Sequence, residues 1–451
     1  MTGWSFGSQI YAGAWSTPAL RVLFDDLPRT RCWLNILATL AEVQGEFAVI
    51  PAANATAVAK ACRAVVLDES FFADVRAGYE ATGHSTAGLI QAVRSRSSEA
   101  AGEWFHFGAT VQDVTDSWLM LALDQARELL LVDLDQAIAA ATRLCREHRD
   151  TIMPGRTHGR QGLPITFGFK VSGWLAEMRR HRERFGEAAA RMGIGQLSGG
   201  VGSLSALGPR GLEVQQAFCE RLGLRQPVTS WTASRDVIVE WAHLLVLVAG
   251  TADRIGHEIY CLQRDEIGEV SEGANGEQIG SITMPHKRNP ELSEHLGTLS
   301  RVVRANAIAL AESLPHAHER DGRAWKVEWH AVPELTMAAG KALNLLAQLL
   351  DRLDVHGDRM RRNLEVSHGQ MGSEAVMLSL AAKVGKQTAH CLVHRVASEA
   401  ASRNQSFHAA LAEDSAIAAA LSPVEIERLL SDAFQTAQCG ALVDRVLGKD
   451  N

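Results

Sequence analysis

The sequence predicts an all-α protein, with three helical domains built around a bundle of very long helices. Three observations carry this expectation. From Val111 to Met153 the chain contains neither Gly nor Pro. Within that stretch Leu119, Leu123, Ala126, Leu130, Leu134, Ala137, Ala141 and Leu144 share one helical stripe, while Arg127, Glu128, Arg143 and Glu147 fall between them. The pattern then recurs in four more segments, each as long as or longer than the ordinary globular helix of about 8–20 residues.

Taken in order, residues 1–107 read as shorter helices separated by "STPAL", "VIPAANA" and "ATGHS". Residues 108–355 hold the long elements. After the Val111 stretch come "TFGFKVSGWLAEMRRHRERFGEAAARM" and "ASRDVIVEWAHLLVLVAGTADRIGHEIYCLQRDEIGEV", then "PELSEHLGTLSRVVRANAIALAESL" and "PELTMAAGKALNLLAQLLDRL". Five such helices in succession describe an extended bundle. The "ASRD" helix is apolar on several faces, so it needs further burial, most simply by association of several copies. Residues 356–451 return to short segments, and "LSPVEIERLLSD" carries a Ser–Pro–x–Glu helix start.

Bulk properties narrow the functional classes. A net charge of −7 offers no basic stripe, which argues against nucleic acid as a partner. The seven cysteines form no CxxC pair or zinc spacing and read as buried free thiols in a reducing compartment. "MTGWSFGSQIYAG" lacks a basic n-region and an apolar run, so no signal peptide is expected. "LLVLVAG", Leu244 to Gly250, is too short to span a bilayer. The expectation is a cytoplasmic protein with no membrane partner. No HExxH, P-loop or GxGxxG pattern occurs, so neither a metal nor a nucleotide cofactor is expected.

Three loops stand out from this helical background. "GSITMPHKRNP", Gly280 to Pro290, gathers a Ser, a His, a Lys and an Asn between Gly and Pro. Asn289-Pro290-Glu291 reads as a helix start, so Lys287 and Asn289 lie near a helix N-terminus, a suitable place to hold a carboxylate. "HFGATVQDVTD" precedes the first long helix, and "MPGRTHGRQGLP" separates the first from the second.

"GSITMPHKRNP" resembles the GSSxMPxKxNP signature of the fumarase/aspartase superfamily, and the other two loops resemble its remaining conserved regions, in the right order. "GATVQD", "HERD" and the tail "RMRRNLEVSHGQMGSEAVMLSLA" are similar to the branch shared by adenylosuccinate lyases and 3-carboxy-cis,cis-muconate cycloisomerases. The resemblance implies a homotetramer whose active sites are each assembled from three subunits. It also implies elimination of a group beta to a carboxylate from a small dicarboxylate substrate, usually with release of fumarate.

Carried over residue by residue, the resemblance makes Ser281 the general base and His158 the acid that protonates the leaving group. Glu294 is the carboxylate paired with that histidine, and His84 matches a second histidine of adenylosuccinate lyases. Lys287, Asn289, Thr110, Thr157, Gln112 and Arg320 are the substrate contacts. Arg320 belongs to "HERD", which by itself reads as helix termination and salt bridging.

Three positions depart from the family pattern: Val111 and Ile282 stand where a serine is common, and Ser234 where a glutamine is frequent. Trp325 and Trp329 lie where adenylosuccinate lyases carry groups that grip a phosphate, which argues against purine biosynthesis. The expected reaction is C–N cleavage of an N-substituted aspartate-like compound. The alternative is lactonisation of 3-carboxy-cis,cis-muconate in aromatic catabolism.

Overall fold

The computed structural model describes residue 8, residues 10–273 and residues 283–448. Helix accounts for 71% of the structure. The all-α expectation therefore holds in the large and misses two small antiparallel sheets. One pairs Ile152–Thr157 with Arg160–Thr166, and the other pairs Val270–Glu272 with Leu353–Val355.

The long helices are Val111–Glu147, Phe167–Ala189, Asp236–Leu262, Glu291–Glu312 and Gly322–Asp351. Val111–Glu147 runs for 37 residues, about 55 Å at 1.5 Å per residue. Each of the eight stripe residues read from the sequence is buried in it. The last long helix differs from expectation. It starts at Gly322 rather than at Pro333 and carries that proline inside. Its start is set by Asp321, whose carboxylate accepts from the Arg323 amide at 2.9 Å and pairs with the Arg323 guanidinium at 2.7 Å. Pro333 has no N–H to give the carbonyl four residues back, so Trp329 loses its ordinary helical acceptor role.

The chain divides into two compact units. One comprises Met1–Asp133, His181–Ala249 and Leu299–Leu343; the other comprises Leu134–Arg180, Gly250–Thr298 and Asn344–Asn451. In the first, Trp241 is fully buried beside Phe185, and its indole N–H donates to the Thr336 hydroxyl at 2.9 Å. The helices Glu69–Thr82 and Ser85–Arg94 pack there with their backbones touching. A Cβ on Gly78 would come within 2.4 Å of the Gly88 Cα, so only glycine serves.

In the second unit, Leu380, Phe407, Leu411, Ile417 and Leu421 form a fully buried cluster. The helix Pro423–Leu430 beside them opens on the expected capping box. Ser422 accepts from the Glu425 amide at 3.3 Å, and the Glu425 carboxylate accepts from the Ser422 amide at 2.8 Å.

All seven cysteines are free thiols. Four are buried; Cys32 and Cys261 are partly exposed and Cys391 is exposed, which corrects the reading of uniformly buried thiols. Burial pushes the Cys62, Cys145 and Cys219 thiols up to about 12. No described helix is long and apolar enough to cross a membrane.

Candidate active site

Within the Leu134–Arg180, Gly250–Thr298 and Asn344–Asn451 unit, "RTHGR" forms a hairpin tip. Thr157 pairs with Arg160, leaving His158-Gly159 as a two-residue loop. Both loop residues have positive φ, +53° for His158 and +72° for Gly159, as a type I′ turn requires. Thr157 and His158 are exposed at this tip. The root is held by Arg156, whose guanidinium donates to the fully buried Glu269 carboxylate at 2.8 and 2.6 Å. Asn363 donates to the same carboxylate at 2.7 Å. Arg156 is thereby committed to Glu269, while His158 projects beyond the anchored part of the hairpin.

The same unit holds the described part of "GSITMPHKRNP". Ser281 and Ile282 lie outside the described residues, as does Gly280. Lys287 is exposed and Asn289 half-buried, in a turn where the Lys287 amide donates to the Met284 carbonyl at 3.0 Å. The helix that follows begins at Glu291. Its first amides already have a carboxylate: Glu272 accepts from Leu292 N at 3.0 Å and Ser293 N at 2.8 Å, and from the Ser293 hydroxyl at 2.6 Å. This corrects the expectation that the helix start is open for a substrate carboxylate. Glu294 is exposed in the first turn. No hydrogen bond or ion pair joins it to His158 among the described residues.

The other unit contains a second set of candidates. Asp113, three residues after Thr110, accepts from the Thr110 amide at 2.8 Å, and also from Ser198 N at 2.9 Å and Gly199 N at 3.1 Å. Burial lifts its carboxyl to about 6 against those three amides. Thr110 is thus fixed at the head of the long helix. Gln112 is fully buried: its amide donates to the Thr232 carbonyl at 3.1 Å and to Asp116 at 3.3 Å, and its carbonyl accepts from Arg320 Nε at 2.6 Å. Gln112 therefore holds Arg320, whose buried Nη2 has no partner among the described residues. Both ring nitrogens of His316 are likewise buried and unpartnered among those residues. His84 stands between Gly83, at φ +68°, and the helix Ser85–Arg94; it is exposed and makes no side-chain cap.

Asp116 belongs to an ion cluster that sequence reasoning missed. Arg235 donates to Asp116 at 2.8 and 3.1 Å on one side, and to Glu328 at 2.8 and 2.5 Å on the other. All three side chains are almost completely buried. Burial works against the Arg235 charge, but the two carboxylates outweigh it and raise the guanidinium further above its ordinary value.

Residues 16–305 match the family model described as lyase, and residues 369–446 match that described as adenylosuccinate lyase C-terminus. The chain belongs to the fumarase/aspartase superfamily. It is 37% identical over 432 residues to N-acetyl-S-(2-succino)cysteine lyase of Enterococcus italicus, covering 96% of this chain and 94% of that one. It is 35% identical over 447 residues to 3-carboxy-cis,cis-muconate cycloisomerase of Pseudomonas aeruginosa, covering 98% and 96%. The crystal structure of 3-carboxy-cis,cis-muconate lactonizing enzyme from Pseudomonas putida superposes with a TM-score of 0.89 at 31% identity, covering 98% and 99%.

In this superfamily member, the two sets of candidates have different local support. Lys287, Thr157 and His158 are presented on exposed turns, whereas Gln112 and Arg320 are built into a buried polar network. "TVQD" did carry a signal for Asp113, since Thr-x-x-Asp before an apolar run is a capping pattern. Arg235 gave none: its partners lie 119 and 93 residues away in sequence. The departure at Ser234 falls on an exposed residue beside it.

Proposed function

We propose that this superfamily member is a lyase that removes a heteroatom substituent from a 2-substituted succinate and releases fumarate. The observation that carries the proposal is its 37% identity, across 96% of the chain, to a lyase of an S-(2-succino) compound. That relative supports sulfur as the leaving atom, where the sequence alone pointed to nitrogen.

In the proposed reaction Ser281 takes the proton from the carbon beside one carboxylate. That C–H is a weak acid, so negative charge accumulating on the carboxylate must be met by fixed donors. Lys287 and Asn289 supply them, with Thr110 and Thr157 as further contacts. Arg320, held by Gln112, offers its unpartnered Nη2 as another. The electron pair then forms the C=C bond of fumarate as the carbon–heteroatom bond breaks, and His158 gives a proton to the departing atom, with Glu294 and His84 as supporting groups. A thiol, with an ordinary pKa of about 8.5, leaves readily as its thiolate, so sulfur makes less demand on His158 than an amine would. The proposal includes a homotetramer with sites shared among subunits.

Proton NMR of the full chain tests this. The substrates are S-(2-succino)-N-acetylcysteine, several N-substituted aspartates and 3-carboxy-cis,cis-muconate. Fumarate from the thioether supports the proposal, and fumarate only from an N-substituted aspartate returns the leaving atom to nitrogen. Lactone from the muconate, with no fumarate from any compound, replaces the lyase reading with cycloisomerisation. The 35% identity to the Pseudomonas aeruginosa enzyme supports that second reading.

A further inference from the structure

The Met1–Asp133, His181–Ala249 and Leu299–Leu343 unit holds a partly open cavity of about 330 Å³. Its walls are unusually aromatic: Trp33, Trp118, Trp325, Trp329, Phe72 and Tyr79 all line it. Trp33 meets Trp118 edge-on at 6.0 Å between ring centroids, and Trp325 meets Trp329 edge-on at 4.9 Å. These are mutually braced, low-entropy surfaces of the kind that receive flat apolar ligands.

The cavity also contains polar atoms with nothing to bond. Among the described residues, Arg29 Nε, the Trp33 indole N–H and Ser85 Oγ are each buried without a hydrogen-bond partner, and all three residues line it. A buried indole N–H ordinarily finds an acceptor, and three orphans in one apolar chamber mark places where a ligand's acceptors belong. Charge limits what that ligand can be. Arg29 is paired with Asp26, and the wall residues Asp116 and Glu328 are neutralised in part by Arg235. The wall thus carries Arg29 and Arg76 against Asp26, Asp116 and Glu328, with Arg235 buried behind it against the last two. No surplus of positive charge remains for a phosphate dianion. Asp116 connects the cavity directly to Gln112 and through it to Arg320, and Ser85 follows His84 in the chain.

We infer that this cavity receives the leaving-group half of the substrate, and that it selects a flat aromatic or heteroaromatic thiol or amine bearing one neutral carbonyl acceptor. The ring lies among the four tryptophans, and its acceptor takes the donors of Arg29 and Trp33. A nucleotide or other phosphorylated leaving group does not fit this charge balance. The inference rests on the lyase reading proposed above and narrows its substrate class.

Isothermal titration of the full chain with 4-(methylthio)benzamide tests the cavity without requiring turnover. N-acetylmethionine amide serves as the alkyl comparison and adenosine monophosphate as the phosphorylated one. The arene is expected to bind at least about tenfold more tightly than either. Trp329→Ala and Arg29→Gln should each weaken it at least about tenfold, and the conservative Trp329→Phe should restore most of the loss in a chain with unchanged circular dichroism. Tightest binding of the nucleotide, absence of arene binding, or arene binding insensitive to these substitutions would overturn the inference. The arene must also inhibit fumarate release competitively; non-competitive inhibition would remove the cavity from the leaving-group path. Fumarate release without arene binding would sink the inference and spare the lyase reading. Arene binding with no fumarate from any succinyl compound would overturn the lyase reading and, with it, the assignment of this cavity to a leaving group.

Discussion

Replacing Arg156 by Met should loosen the hairpin that carries His158. Arg156 is 17% exposed and Glu269 is not exposed at all, so the pair is effectively buried. Methionine removes both guanidinium bonds, at 2.8 and 2.6 Å, and leaves Glu269 with the Asn363 amide as its remaining side-chain donor. Breaking a buried pair from one side costs about 3–5 kcal/mol, because the surviving charge stays desolvated. The partial exposure of Arg156 puts the expected loss near the lower end, about 3 kcal/mol. Adding Glu269→Met removes the stranded charge, so the double variant should recover most of that loss. Urea unfolding followed by circular dichroism reads the cycle. Fumarate release should fall mainly in kcat, since the hairpin root sets the position of His158. If Arg156→Met costs less than about 1 kcal/mol, or if the double variant simply sums the two single losses, the pair does not hold the hairpin as argued.

Four other outcomes are expected. Ser281→Ala should reduce turnover at least about 10²-fold with circular dichroism unchanged; near-normal turnover would remove Ser281 from the mechanism. His158→Asn keeps a residue that accepts positive φ but removes the proposed acid, so loss of kcat should be greater for an N-substituted aspartate than for a thioether. Equal losses would deny His158 a role at the leaving atom. Lys287→Met should raise KM for the succinyl substrate by about tenfold, and an unchanged KM would rule out a carboxylate contact there. Asp113→Asn should leave one of three backbone amides without its acceptor, costing about 1–3 kcal/mol. Because the folded protein raises Asp113 to about 6, this group favours folding below about pH 4, and that contribution is lost as pH rises to about 6. Wild-type melting temperature should therefore fall relative to Asp113→Asn across that window; a constant difference would contradict the raised value.

The elements visible in the sequence were those specified locally. The absence of Gly and Pro after Val111 marks the 37-residue helix, and its stripe is buried as the spacing requires. Ser422 and Glu425 form their box from four adjacent residues. What escaped the sequence was specified at long range. In sequence Pro333 mimics a helix beginning, whereas Asp321 sets the start of Gly322–Asp351. The hairpin at His158 was read as a loop because Pro154, Gly155, Gly162 and Pro164 mask any alternation, leaving His-Gly as its sole turn signal. The Glu272 carboxylate at the start of Glu291–Glu312 comes from 20 residues upstream, beyond any local capping pattern. The sequence names Thr110, Gln112 and Arg320 as candidate contacts, but nothing in it shows that Gln112 and Arg320 bond to each other across 208 positions.

The backbone at His158 has a bearing on any attempt to redesign this chain. At φ +53°, position 158 admits few side chains without strain: glycine, asparagine, aspartate and histidine among them. A tyrosine, lysine or threonine installed there as an alternative proton donor would first have to distort a two-residue turn with no slack to share. The reagents this hairpin can carry at its tip are thus rationed by chain geometry before chemistry is consulted. New ones are better sited at the extended positions 157 or 160, which impose no such restriction.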